Sequence, residues 1–159
     1  MIDGKTTGPL PIIEMLERSG YIRQLDLKSV ENAITTLKKL NQEDLTISIN
    51  IASNTLLNAS SQTFRKLMHE AGISPNRITF EITERQIIDH KKILEALHDL
   101  KLEGFKISLD DFSVGHASLL LLDKFPFDEI KLDRELLPTD ETDLNRISTY
   151  KYRVDLIKQ

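Results

Sequence analysis

Two adjacent carboxylates, Asp110 and Asp111, close a short run (105–109) in which apolar and polar residues alternate. Uncompensated charge at the end of a strand is costly, so core packing alone does not explain the pair. Asn50 closes a second such run, and Glu81 lies within a third. The separations of 31 (81 − 50) and 29 (110 − 81) residues match one strand-helix unit, so a ligand-type residue recurs once per unit. Carboxylate and amide oxygens suit Mg²⁺ or Mn²⁺, and two such ions support phosphodiester hydrolysis, so the pattern predicts a metal site.

A fourth run contains Lys131 and Asp133, and Lys131 could hold a phosphate group or the attacking water. The competing explanation is that each polar residue is a solvated strand end or a member of an ion pair. Taken singly, each residue fits either explanation, but four ligand-type residues on the same face of successive strands favour the metal site. Glu84 also has two explanations. It either anchors the following loop through backbone hydrogen bonds or begins the next helix as a favourable N-terminal charge.

Helical and extended patterns alternate along the chain, which favours right-handed βαβ units and a parallel sheet. Within the extended runs the polar residues share one face and the apolar residues the other, so a single polar face carries every candidate ligand. This arrangement suits a β/α-barrel, in which functional groups gather at the carboxyl ends of the strands. The predicted strands are 45–51, 77–83, 105–111 and 127–133, and the predicted helices are 12–20, 25–40, 54–71, 89–103, 117–124 and one from 144 almost to 159.

Length and composition restrict the class of protein. A chain of 159 residues with 29% charged residues is expected to fold as one globular domain. The net charge of −4 and the lack of a basic block argue against nucleic acid as a partner. The absence of cysteine excludes disulfides and thiolate metal sites, and no apolar run has the length of a membrane span. We therefore expect a cytoplasmic domain that binds neither nucleic acid nor membrane.

Three segments resemble the EAL domain family. They are residues 80–84 (FEITE), 107–119 (ISLDDFSVGHASL) and 125–134 (FPFDEIKLDR). Residues 10–26 and 48–53 also look like family segments, and the resemblance extends in unbroken order over about 9–136. The resemblance implies hydrolysis of cyclic di-GMP to linear pGpG by two Mg²⁺ or Mn²⁺ ions in a modified TIM barrel.

The resemblance also implies a role for each candidate residue. Asn50, Glu81 and Asp110 would be metal ligands, and Asp111 would be a catalytic residue that serves the second metal. Lys131 would be a catalytic residue that contacts the water or the phosphate, and Asp133 would lie in the substrate site. Glu84 would brace the loop after Asp111, which in this family couples the metal site to dimerisation.

The chain departs from the family pattern at its two ends and within one loop. The Glu-Ala-Leu motif should precede Pro9 and a Glu-Gly-Val-Glu segment should follow Asp133, and neither is present. Ser113, Val114 and His116 replace the usual Gly, Thr and Tyr. We therefore expect one partial EAL domain over 1–159, with a divergent C-terminal helix over 137–159, and an incomplete α/β barrel of TIM-barrel-like units.

Two functions remain open at this point. The first is an EAL-type phosphodiesterase that is impaired or inactive as an isolated chain, because two glutamate-bearing segments are missing. The second is a degenerate, non-catalytic EAL protein that acts as a regulatory or protein-binding module. In either case cyclic di-GMP is the expected ligand if the site is competent. An open parallel sheet exposes two edges, so we also expect a homodimer or association with another protein.

Overall fold

The computed structural model describes residues 8–87, 91–113, 116–137 and 144–157. Strands and helices alternate through this part of the chain, as the sequence predicts. In chain order the elements are α1 (Leu10–Ser19), α2 (Ile22–Leu40), β1 (Ile47–Asn50), α3 (Ser53–Asn58), α4 (Ser61–Ala71), β2 (Ile78–Thr83), α5 (Glu84–Ile87), α6 (Lys91–Leu102), β3 (Lys106–Phe112), α7 (His116–Lys124), β4 (Glu129–Leu132) and α8 (Leu144–Ile157). Short 3₁₀ turns occupy Pro75–Arg77 and Arg134–Leu136.

The four strands form one parallel sheet in the order β1-β2-β3-β4. Each strand therefore pairs with the strand before it in the sequence, which is the arrangement that successive βα units produce. The outer edges of β1 and β4 have no strand partner among the described residues. The α/β class and the parallel sheet predicted from the sequence are confirmed.

The main error of the sequence-based prediction is the single helix over 54–71. The structure divides this segment into α3 and α4, because Ala59 adopts an extended conformation with φ −114° and ψ 133°. The hydroxyl of Ser60 then accepts a hydrogen bond from the backbone N–H of Gln62 at 3.3 Å and begins α4. Serine is favoured at this position because it satisfies one of the unpaired N–H groups at a helix start.

Other element boundaries differ by a few residues. Helix α2 begins at Ile22 rather than at 25, and the strands β1 and β4 are shorter than predicted. The short helix α5 was not predicted. Residues 89 and 90 of the predicted helix 89–103, and residues 158 and 159 of the last predicted helix, lie outside the described residues.

The apolar face of the sheet packs against helices and forms the core. Phe80 of β2 is central, because its ring lies 5.2 Å from the ring of Phe64 in α4 and 5.1 Å from that of Phe105. The opposite face of the sheet is polar, and its central residues are covered. Glu81 is 8% exposed and Ser108 is fully buried. The predicted alternation therefore exists, and the polar face is out of solvent at its centre, whereas Ser48 and Asn50 at the β1 edge are exposed.

Candidate functional site

The sheet register brings the candidate ligands to one end of the polar face. Asn50 at the end of β1 lies level with Glu81 in β2. Asp110 in β3 lies level with Thr83, two residues beyond Glu81 toward the carboxyl end. One pleat repeat of this kind corresponds to about 7 Å along the strand. Three oxygen-bearing side chains from three adjacent strands therefore share a face, as the alternation of the sequence predicts.

Glu81 is paired with Lys131. The ammonium group of Lys131, on β4, donates a hydrogen bond to Oε1 of Glu81, on β2, and so reaches across the intervening strand. The hydrogen bond to Glu81 raises the pKa of Lys131, and the charges of Glu81, Asp110 and Glu129 act in the same direction, while partial burial opposes them. Lys131 therefore remains a cation and compensates the buried carboxylate.

The aspartate pair lies at an irregularity of β3. The pairing of β3 with β4 shifts between Leu109 and Phe112, and Asp111 adopts a left-handed conformation with φ 53°. Oδ1 of Asp110 accepts a hydrogen bond from the N–H of Asp111 at 3.0 Å. An irregularity of this kind changes the direction of a side chain, and here Asp111 is exposed while Asp110 is half-buried. The two carboxylates are thus held in different environments.

Glu84 both begins a helix and anchors the loop after β3, which are the two explanations that the sequence leaves open. It is the first residue of α5, and it is buried with 5% exposure. Its Oε2 accepts hydrogen bonds from the backbone N–H and from the hydroxyl of Ser113, each at 2.8 Å. Glu84 thus connects the end of β2 to the chain after β3. Its role in dimerisation remains a prediction, and Val114 of the same loop lies outside the described residues.

Asp133 lies on the far side of the site, directly after β4. Its Oδ1 accepts a hydrogen bond from the N–H of Glu135 at 2.9 Å, and its own N–H donates to the carbonyl of Phe112 at 3.1 Å. Together with Asp111 and Ser113 it lines a polar cavity of about 640 Å³ at the carboxyl ends of β2, β3 and β4. The structure therefore places Asp133 in the same cavity as Asp111.

Sequence reasoning missed Asp26, which contacts the backbone two residues after Asn50. Asp26 belongs to α2, is 6% exposed, and its Oδ2 accepts a hydrogen bond from the N–H of Ala52 at 3.0 Å. Burial raises its pKa, and this outweighs the lowering effects of the nearby Thr55 hydroxyl and of the Ala52 bond. The Thr55 hydroxyl is close enough to act electrostatically but makes no hydrogen bond of standard geometry. The available signal was an aspartate four residues before Val30, on the apolar face of a helix.

The carboxylate and amide oxygens of Asn50, Glu81 and Asp110 fit a hard divalent cation. Among residues 8–87, 91–113, 116–137 and 144–157, no three His, Cys, Asp or Glu side chains are grouped so that they could hold a metal ion. Glu81 is instead engaged by Lys131.

No helix of the described segments has the length and apolarity needed to cross a membrane.

The comparison with protein families decides the identity of this fold. The family model described as the EAL domain matches residues 2–159. This chain belongs to the EAL domain family. The match confirms the resemblance carried by residues 80–84, 107–119 and 125–134.

Relatives of this EAL domain include proteins named as enzymes and a protein named as an antirepressor. The cyclic di-GMP phosphodiesterase NbdA of Pseudomonas aeruginosa is 31% identical over 148 residues, which are 86% of this chain and 18% of NbdA. The blue light- and temperature-regulated antirepressor BluF of Escherichia coli is 36% identical over 124 residues, which are 76% of this chain and 30% of BluF. The matched part is thus less than a third of these relatives.

Solved EAL domains have the same fold, which is TIM-barrel-like. The PaMucR phosphodiesterase in complex with c-di-GMP has a TM-score of 0.80 and 26% identity, over 94% of this chain and 67% of that one. BlrP1 of Klebsiella pneumoniae matches with a TM-score of 0.64 and 28% identity. The match includes 72% of this chain and 30% of the BlrP1 chain. BlrP1 is solved with c-di-GMP and manganese and also with c-di-GMP and calcium.

Proposed function

We propose that this EAL domain binds cyclic di-GMP and belongs to a metal-dependent phosphodiesterase that produces linear pGpG. The observation that carries the proposal is the shared face of Asn50, Glu81 and Asp110 on three adjacent parallel strands. In hydrolysis the oxygen of a water molecule bonds to phosphorus, one P–O ester bond breaks, and the departing oxygen takes a proton. Phosphodiesterases among the relatives and c-di-GMP in the solved neighbours support the choice of substrate.

We propose the residue roles as follows. Asn50, Glu81 and Asp110 would hold one divalent cation and Asp111 would serve a second, because carboxylate and amide oxygens are hard ligands. The ions would supply Lewis-acid stabilisation and a water of lowered pKa. Lys131, a cation on the same face, would contact the water or a phosphate oxygen. Asp133 would contact the substrate, and Glu84 would hold the loop through Ser113.

We also propose that the chain alone has low activity. Glu81 is occupied by Lys131, so cation binding must exchange this ion pair for coordination. The binding energy therefore has to offset the loss of a partly desolvated pair, which weakens the affinity for the metal.

The decisive experiment is an assay of the purified chain with cyclic di-GMP and Mn²⁺, followed by separation of the nucleotide products. Hydrolysis that is lost in Asp110→Ala and retained in Asp123→Ala, an exposed aspartate of α7, supports the enzyme. Absence of any turnover at high enzyme concentration rejects catalysis for this chain.

The second candidate function is a non-catalytic regulatory module. The relative named as an antirepressor, at 36% identity, favours it. Titration calorimetry with cyclic di-GMP in Mn²⁺, followed by separation of the nucleotide products, distinguishes the two functions, because a module that responds to the nucleotide would bind it without product formation.

The outer edges of β1 and β4, which have no strand partner in the part of the chain that the structure describes, support a homodimer or association with another protein, since free strand edges favour further pairing. Sedimentation analysis at several protein concentrations tests this. A monomer at all concentrations rejects the homodimer. The cytoplasmic location stays a prediction.

A further inference from the structure

Two arginines line the polar cavity of about 640 Å³ beside the candidate site, and the roles proposed so far do not use them. Arg85 belongs to α5, which follows β2 without a break, and Arg134 begins the 3₁₀ turn after β4. Asp111, at the end of the intervening strand β3, lines the same cavity. The arginines thus approach the space above the carboxyl end of β3 from the strands on its two sides.

Local hydrogen bonds fix the backbone that carries each arginine. The side-chain oxygen of Gln86 accepts from both the N–H and the hydroxyl of Thr83, each at 3.0 Å, and so fixes the start of α5. Asp133 similarly fixes the turn around Arg134 through the N–H of Glu135. An anchored backbone reduces the entropy that is lost when a guanidinium binds a ligand.

Neither arginine has a charged partner within the described segments. No carboxylate there lies within ion-pair distance of Arg85 or Arg134, and both residues are exposed. Arg65, by contrast, pairs with Glu103 at 2.6 Å. The guanidinium groups of the cavity are therefore available to an external anion.

The cavity lining also contains four carboxylates, those of Glu84, Asp111, Asp133 and Glu135. Glu84 accepts two hydrogen bonds from Ser113, and Oδ1 of Asp133 accepts one from Glu135. Of the other two, Asp111 would serve the second metal. Within the described segments none of these four carboxylates lies within ion-pair distance of either arginine. A guanidinium presents parallel N–H groups that match two oxygens of a phosphate, so a phosphodiester of the proposed ligand fits the two arginines.

We propose that Arg85 and Arg134 form a phosphate subsite for the phosphodiester group of the cyclic dinucleotide that is not being hydrolysed. The inference rests on the proposed function, because it assigns the second phosphate of the same ligand. In this arrangement the reacting phosphate lies at Asn50, Glu81 and Asp110, and the remote phosphate is held at the cavity. The two arginines position the ligand and take no part in bond breaking.

The test measures cyclic di-GMP affinity by titration calorimetry with Ca²⁺ present for wild type, Arg85→Ala, Arg134→Ala and the double variant. Hydrogen bonds to a charged group contribute enough that each single variant should bind about tenfold more weakly or worse. Arg65→Ala is the matched control, because it removes another exposed arginine, one that lies outside the cavity and is paired with Glu103. Arg→Lys at both sites should restore only part of the affinity, since lysine lacks the bidentate geometry.

A second measurement separates this inference from the proposed function. The ³¹P line width of inorganic phosphate is followed with each protein variant and without nucleotide. Unchanged nucleotide affinity in the double variant overturns the subsite. If wild type does not bind cyclic di-GMP, phosphate broadening that depends on both arginines supports the subsite and rejects the proposed ligand. No broadening in that case overturns both.

Discussion

Lys131 on β4 donates a hydrogen bond to the buried carboxylate of Glu81 on β2, across the strand that separates them. The pair connects two non-adjacent strands and compensates the charge of Glu81, which is 8% exposed. The same carboxylate is a candidate metal ligand. The Lys131 side chain therefore stabilises the fold without metal and competes with the proposed cation for the carboxylate of Glu81.

Replacing Lys131 by Met should destabilise the fold, because the charge of Glu81 would be left buried without a partner. Lys131 is itself about a third exposed, so we expect a loss of about 1–3 kcal/mol in the free energy of unfolding, below the range for fully buried pairs. Urea unfolding at neutral pH measures this. Lys28→Met, which removes an exposed pair with Glu31, should change stability by less than about 1 kcal/mol. Recovery in the double variant Lys131→Met/Glu81→Gln would identify the unpaired carboxylate as the cause.

The same Lys131→Met substitution should strengthen Mn²⁺ binding, because Glu81 would be free to coordinate and one positive charge would be removed. Asp110→Asn should weaken binding, since an amide oxygen is a poorer ligand than a carboxylate. Electron paramagnetic resonance of free Mn²⁺ gives both affinities, and Asp123→Asn serves as the control. Weaker binding in Lys131→Met would mean that the lysine organises the site instead of competing with the metal.

The sequence predicts the arrangement of the site better than its details. Strand alternation placed Glu81 on the polar face, because a period of two leaves no other choice once Phe80 is assigned to the core. The split between α3 and α4 was missed, because the apolar spacing continues through Ala59 and only the local capping by Ser60 interrupts the helix. The partner of a buried polar group such as Asp26 depends on a contact over 26 residues, which local patterns do not contain.

Asp26→Asn should make the protein more stable at neutral pH. Burial raises the pKa of Asp26, so the folded state binds its proton more tightly than the unfolded state does. The contribution of protonated Asp26 to the free energy of unfolding is therefore present at low pH and is lost as pH rises through the raised pKa. The asparagine carries no charge to desolvate, and its side-chain oxygen can still accept from Ala52.

The measurement for Asp26 is the difference in unfolding free energy between variant and wild type across pH. The advantage of Asp26→Asn should be full above the raised pKa and shrink as pH falls toward the ordinary aspartate value of about 3.9. Asp44→Asn, at an exposed position before β1, should show no such trend. A variant advantage that grows on acidification contradicts a raised pKa.

Glu84→Gln should loosen the chain segment after β3. The carboxylate accepts two hydrogen bonds of 2.8 Å from Ser113, and an amide oxygen is a weaker acceptor, so we expect a loss of about 1–2 kcal/mol locally. Hydrogen exchange followed by mass spectrometry should show faster exchange in peptides that contain Ser113. Glu95→Gln, at an exposed position of α6, should leave those peptides unchanged. Equal exchange in the two variants would show that other contacts hold this segment.

Asp111 combines backbone strain with a proposed catalytic role, and the two effects should separate on substitution. Its φ of 53° favours glycine, so Asp111→Gly should be more stable than Asp111→Ala by about 1 kcal/mol. Both variants lose the carboxylate that would serve the second metal, so both should lose hydrolysis of cyclic di-GMP equally. Urea unfolding and the nucleotide assay together measure the two quantities. Equal stability of the variants would mean that the backbone relaxes at this position, whereas activity that follows stability would assign Asp111 a purely structural role.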